Sequence, residues 1–220
     1  MPDDSGLRDL EDYKVRIKER LSSLATYSQE LGINLERPED RFKWFLASVL
    51  FSKRISSEIA KKTYRQFEVE GITAPEAIIN NGYDKLVEIL DAGGYVRYDF
   101  STASNLLEIA KKLKQKYGSL DNLYLQAKDS EELERKLSEF KGVGPTTVNI
   151  FLREIKSVWE KASPPPSPLA KKVIEKLGLE EDVLNEPSLE SRLVRLNIEF
   201  CKRKRCSVCP VKEMCQQAST

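Results

Sequence analysis

Residues 137–149 read LSEFKGVGPTTVN, and how this stretch folds decides how the chain is read. An apolar helical pattern stops near Phe140, and Gly142-Val143-Gly144 predicts a tight turn. Pro145 then opens a second helix, where its missing N–H is no loss. Two residues without a Cβ let the backbone come close to another molecule. The free N–H groups and positive dipole end of the following helix favour an anion there, a phosphate above all. Val143, between the glycines, is expected to plug inward. A G-x-G between helices also occurs in ordinary turns. Here Phe140 before the turn and Val148, Phe151, Leu152 and Ile155 after it favour a DNA-binding hairpin. Its candidate contacts are Lys141, Gly142, Val143, Gly144 and Thr146.

Helical periodicity dominates on both sides of the hairpin. Helices are expected over 9–31, 39–51, 54–67, 74–80, 83–91, 101–117, 130–140, 145–159, 168–178 and 188–200. Asp129 and Glu132 give the start at 130 a capping box. No stretch reads as a strand, so the expected fold class is all-α. The segment KASPPPSP (161–168) is a breaker rather than a linker. The longest apolar run, FLASVLF (45–51), falls far short of the roughly 18 residues that cross a membrane. The opening MPDDSGLRDLEDYK is acidic and polar and does not read as a secretory signal.

The 220 residues allow one large or two small domains. Net charge is only +1, but charge is unevenly spread: residues 141–176 carry seven basic and three acidic residues, and residues 201–212 five basic and none acidic. Such local basic stretches can track phosphates, although solvated helix faces look the same. There is no histidine, which excludes Ser–His and Cys–His nucleophile pairs and histidine-bound metals. Dense Lys and Glu usage with few Gln suggests a thermophilic source, and the expected setting is a monomer in a prokaryotic cytoplasm, associated with the nucleoid.

All four cysteines, Cys201, Cys206, Cys209 and Cys215, lie within 15 residues. A mostly helical chain of this size has no need of a disulfide framework. Four converging thiolates suit either zinc or an iron–sulfur cluster. The compact, uneven C-x4-C-x2-C-x5-C spacing, with Pro210 after the third cysteine, favours a [4Fe–4S] cluster over two separated zinc pairs. Lys202, Arg203, Lys204 and Arg205 fill the loop between the first two thiols and would meet a phosphate backbone.

Hairpin, helix and cysteine loop, in this order, resemble the endonuclease III family of helix–hairpin–helix DNA glycosylases over roughly residues 35–216. FKGVGPTTVNIFL (140–152) is similar to the family's L-P-G-V-G-x-K-T-A-x-x-[IV]-L. LFSKRISSEIA (50–60) is similar to its L-S-Q-x-T-x-D-x-x-V, with Lys53 where the family's gap-filling glutamine stands. Gly94-Tyr95 resembles its G-[FLY]-Y turn. The resemblance implies two helical domains flanking a cleft for DNA and a flipped base. They would be residues 1–34 with 128–220, carrying hairpin and cluster, and residues 35–127. It also implies [4Fe–4S] ligation by the four cysteines, and base excision from duplex DNA holding a damaged or mismatched base.

The chain departs from that pattern at the chemistry. The first two cysteines stand closer than the family's usual spacing of six. The family's Schiff-base lysine falls on Thr146, and its catalytic aspartate falls near Ser163, where no carboxylate occurs between Lys161 and Lys172. A lyase step needs a lysine nucleophile, so a glycosylase without that step is expected. The alternative is a non-catalytic iron–sulfur lesion sensor on the same scaffold, and a weaker one is a zinc-containing RNA-binding protein. Replacement carboxylates to consider are Asp99, Glu154 and Glu160, the last two also readable as helix-surface charges. Lys141, Lys156 and Lys161 are the nearby lysines. Tyr95 and Tyr98 in GGYVRYDFS (93–101) are candidates to stack a flipped base, and Arg97 to meet a phosphate.

Overall fold

The computed structural model describes residues 4–186 and 188–217, with side chains from residue 11 onward. In chain order the helices are α1 (Asp4–Ser22), α2 (Tyr27–Glu30), α3 (Pro38–Phe51), α4 (Ser57–Val69), α5 (Pro75–Gly93), α6 (Asp99–Lys116), α7 (Leu120–Gln126), α8 (Ser130–Ser138), α9 (Pro145–Ile155), α10 (Pro168–Leu177) and α11 (Leu189–Leu196). No strand occurs among the described residues, so the fold is all-α as expected. No helix among them is long and apolar enough to cross a membrane.

The chain forms two compact units. One is Leu31–Pro164; the other joins the segment ending at Glu30 to the segment beginning at Pro165. The sequence reading placed residues 128–164 with the cysteines, and this is corrected. The hairpin is built on the aromatic core of the Leu31–Pro164 unit. There the Phe45 ring meets Phe140 at 5.9 Å and Phe151 at 5.1 Å, both edge-on. Trp44 donates from Nε1 to the Phe151 carbonyl at 3.2 Å. Burying each such ring contributes roughly 1.5–3 kcal/mol.

In the other unit, Ile17 and Leu21 of α1 share a core with Val173, Ile174 and Leu177 of α10 and Leu193 and Leu196 of α11. The spacing of these residues puts one face of each helix inward.

Local chemistry explains where the helices stop. The helix expected over 9–31 is two helices, because Thr26 and Gln29 form a reciprocal cap. The Thr26 N–H donates to Gln29 Oε1 at 2.9 Å, and Thr26 Oγ1 accepts from the Gln29 N–H at 3.4 Å. This T-x-x-Q box is written in the sequence and restarts the helix. Gly82 stands at φ 72° inside α5, which divides it much as the two expected helices 74–80 and 83–91 do. The short α7 was not foreseen. It starts where Ser119 Oγ accepts from the Asn122 N–H at 3.1 Å. Asp129 caps α8 as expected, accepting from the Glu132 N–H at 2.8 Å. Glu132 returns the bond one residue early, to the Lys128 N–H at 2.9 Å.

Candidate nucleic-acid interface

The hairpin is a turn between α8 and α9. The Val143 N–H donates to the Phe140 carbonyl at 3.1 Å and closes it. Gly142 adopts φ +77°, a left-handed conformation that side chains disfavour. Val143 is buried, the inward plug that was expected. Gly144 is extended and precedes Pro145 as the cap residue of α9; the first turn of α9 has no side-chain cap and no acidic residue. The N–H groups of that turn therefore keep their positive field uncompensated. Thr146 is exposed and Thr147 buried.

Four of the seven basic residues in the stretch 141–176 are held by partners. Lys141 Nζ pairs with Glu108 at 2.5 Å. Arg153 is buried and donates to Asn149 Oδ1 at 2.7 Å. Lys161 donates to the carbonyls of Tyr124 (3.1 Å) and Ala127 (2.6 Å). Lys171 pairs with Glu181 at 2.7 Å.

The cysteine loop differs. From α11 the chain runs through a π-helical turn, Asn197–Cys201, whose wider circumference delivers the first cysteine. Lys202, Arg203, Lys204 and Arg205 are all exposed, and none of them is ion-paired among the described residues. Lys204 sits at φ +51°, a strained position for a residue with a side chain. Arg205 lies over the Phe200 ring at 5.9 Å.

Cys201, Cys209 and Cys215 pack against the core of their unit, while Cys206 is exposed; all four thiols are free. Burial pushes the Cys201 thiol up, and the charges of Cys215 and Cys206 add to this against the pull of Lys176. Cys209 is pushed up by burial first and then by the other three cysteines. The four thiols thus sit within electrostatic reach of one another, and their repulsion is what a bound cationic centre relieves. Among the described residues, no three Cys, Asp or Glu groups are gathered as a metal ion would require. A cluster differs from a single ion here, since each of its thiolates binds a different iron. The donor set, four free thiols on one loop, suits a cluster in chemistry.

The candidate catalytic and pocket residues scatter. Tyr95 is corrected from pocket to core: it is buried and donates to the Leu50 carbonyl at 2.8 Å, and burial pushes its hydroxyl pKa up. Tyr98 is half-buried, edge-on to Tyr95, with Arg97 over its ring at 5.4 Å. Asp99 is buried in the first turn of α6 and accepts from the Phe100 N–H at 2.7 Å. The pKa of Asp91 is raised by desolvation first and by Asp99 second. Glu154 is buried rather than on the surface, whereas Glu160 is exposed. Ser163 is exposed, its N–H donating to the Lys161 carbonyl at 3.0 Å. Lys53 is half-buried in the α3–α4 turn.

Sequence reasoning missed Glu190. It is buried and accepts from the Ser167 N–H at 2.9 Å, so a carboxylate does meet the Pro-rich stretch, from α11. Its place on the inward stripe with Leu193, Val194 and Asn197 was the available sign. A scan against family models gave no match, and a search of curated proteins gave none.

Proposed function

We propose that the chain binds duplex DNA and acts as an N-glycosylase of the endonuclease III type on a flipped damaged or mismatched base. The observation that carries this reading is the α8–α9 turn, where two glycines, an inward valine and an uncapped helix start leave a field suited to phosphate. The exposed cations of Lys202–Arg205 add a second stretch that can meet phosphates. Cys201, Cys206, Cys209 and Cys215 would hold a [4Fe–4S] cluster, whose part is to brace that loop.

Excising a base requires that it leave the stack and that a carboxylate stabilise the cationic sugar. Asp99, Glu154 and Glu190 are the buried carboxylates to test for that part. A lysine lyase step is not part of the proposal, since Thr146 has no amine and Lys161 is held by two carbonyls. A second reading, a lesion sensor without catalysis, is favoured by Ser163 standing exposed with no Asp or Glu between Lys161 and Lys172.

A panel of duplexes, each with one lesion or mismatch, separates the readings when scored for binding, base release and borohydride trapping. Base release without trapping supports the glycosylase. Lesion-selective binding without release from any duplex supports the sensor. Absence of binding to every duplex overturns both, and strong trapping overturns the exclusion of the lyase step.

A further inference from the structure

Three residues on one face of α6 meet the hairpin in reverse order. Lys112 Nζ donates to the Glu139 carbonyl at 2.7 Å. Glu108 pairs with Lys141 at 2.5 Å. Asn105 lies against Gly142: a methyl group on Gly142 would come within 2.7 Å of Asn105 Cγ, and nearer still to Nδ2. The positions 105, 108 and 112 share a helix face because they are three and four apart. Lys112 and Glu108 fasten the turn, and Asn105 performs no such service. Its amide has no hydrogen-bond partner among the described residues, although it occupies the space that the left-handed Gly142 leaves by having no Cβ. By contrast, a Cβ on Gly144 would meet nothing within 4 Å.

We propose that Asn105 is a further binding residue of the hairpin site, its side-chain amide donating beside the turn to a phosphate oxygen of duplex DNA. The inference rests on the proposed DNA-binding reading. A neutral amide bound to a charged oxygen contributes affinity without releasing counterions. Asn105 should therefore matter to affinity and not to its salt dependence.

The test compares wild-type protein with N105D and N105A, by titration of a fluorescent duplex at several salt concentrations and by thermal melting. N105D keeps the shape and loses the donor. It should weaken binding about a hundredfold while melting close to wild type. N105A should weaken binding about tenfold with the salt slope unchanged, the size of one charge-assisted hydrogen bond. Wild-type affinity in N105D overturns the inference, whatever N105A does to folding. A salt slope that falls in N105A also overturns it, by placing the effect on displaced cations. A wild-type protein that binds no duplex overturns the DNA reading and this inference with it, whereas binding by all three proteins alike overturns this inference alone.

Discussion

The hairpin and the cysteine loop are both short irregular segments with basic residues, yet they are held in opposite ways. The hairpin is anchored from within: Val143 is buried, Phe140 packs on Phe45, and Lys141 is already paired with Glu108. The cysteine loop has three turns of 3-10 or π type between Asn197 and Met214, and its four successive cations are exposed and without an ion pair among the described residues. Cys201, Cys209, Val211 and Cys215 pack against the core of their unit, but the stretch 202–208 between them is exposed throughout and has no buried side chain to hold it. The comparison teaches that the first segment gets its shape from buried side chains, whereas the second is packed at its ends and open between them, where the proposed cluster would act as the crosslink.

The largest expected effect follows from that need. Purified protein should contain about four irons per chain and absorb broadly near 400 nm, as clusters of this class do. C206S or C209S should lose the absorbance and most DNA affinity, with little change in the α6–hairpin unit. One zinc per chain, or DNA binding indifferent to these substitutions, would break the contrast between the two segments.

Next in size is a contrast within the hairpin itself. G142V places a β-branched residue at φ +77° against Asn105, and should lower the melting temperature by many degrees and abolish binding. G144A meets no atom within 4 Å, so it should melt within a few degrees of wild type and lose affinity only where a ligand must approach. Equal melting temperatures for the two would sink the claim that Gly142 is set by the fold and Gly144 by the ligand.

The charges give a smaller and more graded comparison. Replacing Lys202, Arg203, Lys204 and Arg205 by alanine should lower the salt slope by about one unit for each phosphate that the loop no longer neutralises. K141A should change it less, because the pair with Glu108 already neutralises that lysine. E108Q frees Lys141 and should raise affinity modestly. A slope governed by Lys141 rather than by the loop would invert the assignment.

Much of this was legible in the sequence. Periodicity showed the helical class, Gly-Val-Gly-Pro the turn and its inward valine, and the cysteine spacing the loop. The placement of the hairpin in the Leu31–Pro164 unit was not legible, since it depends on which aromatic rings meet across distant positions. Tyr95 was misplaced for a related reason: an aromatic loop and an aromatic core plug share composition, and only the bond to the Leu50 carbonyl tells them apart. Glu190 was overlooked because a carboxylate on an inward stripe acquires meaning only from its partner, the Ser167 N–H. The pairing of Lys141, Lys161 and Lys171 was likewise invisible to a count of charges.

The smallest effect concerns pH and returns to the anchored side of the comparison. Glu139, one residue before Phe140, takes an ion pair from Lys116, and that ammonium holds its carboxyl below the usual range, with Lys112 and Tyr117 adding to the effect. Its folded pKa is depressed, so the stability it contributes is present above its unfolded value of about 4.3. That contribution is lost as pH falls through the folded pKa. Partial exposure and salt screening keep the effect modest. Melting curves from pH 7 down to about pH 3 should therefore show E139Q less stable than wild type at neutral pH, with the gap closing in acid. Such convergence assigns the linkage to Glu139, because the glutamine keeps the length of the side chain and loses only its charge. A gap that stays constant with pH would show that the carboxylate charge does not anchor the hairpin, and that the carbonyl bond from Lys112 holds the turn by itself.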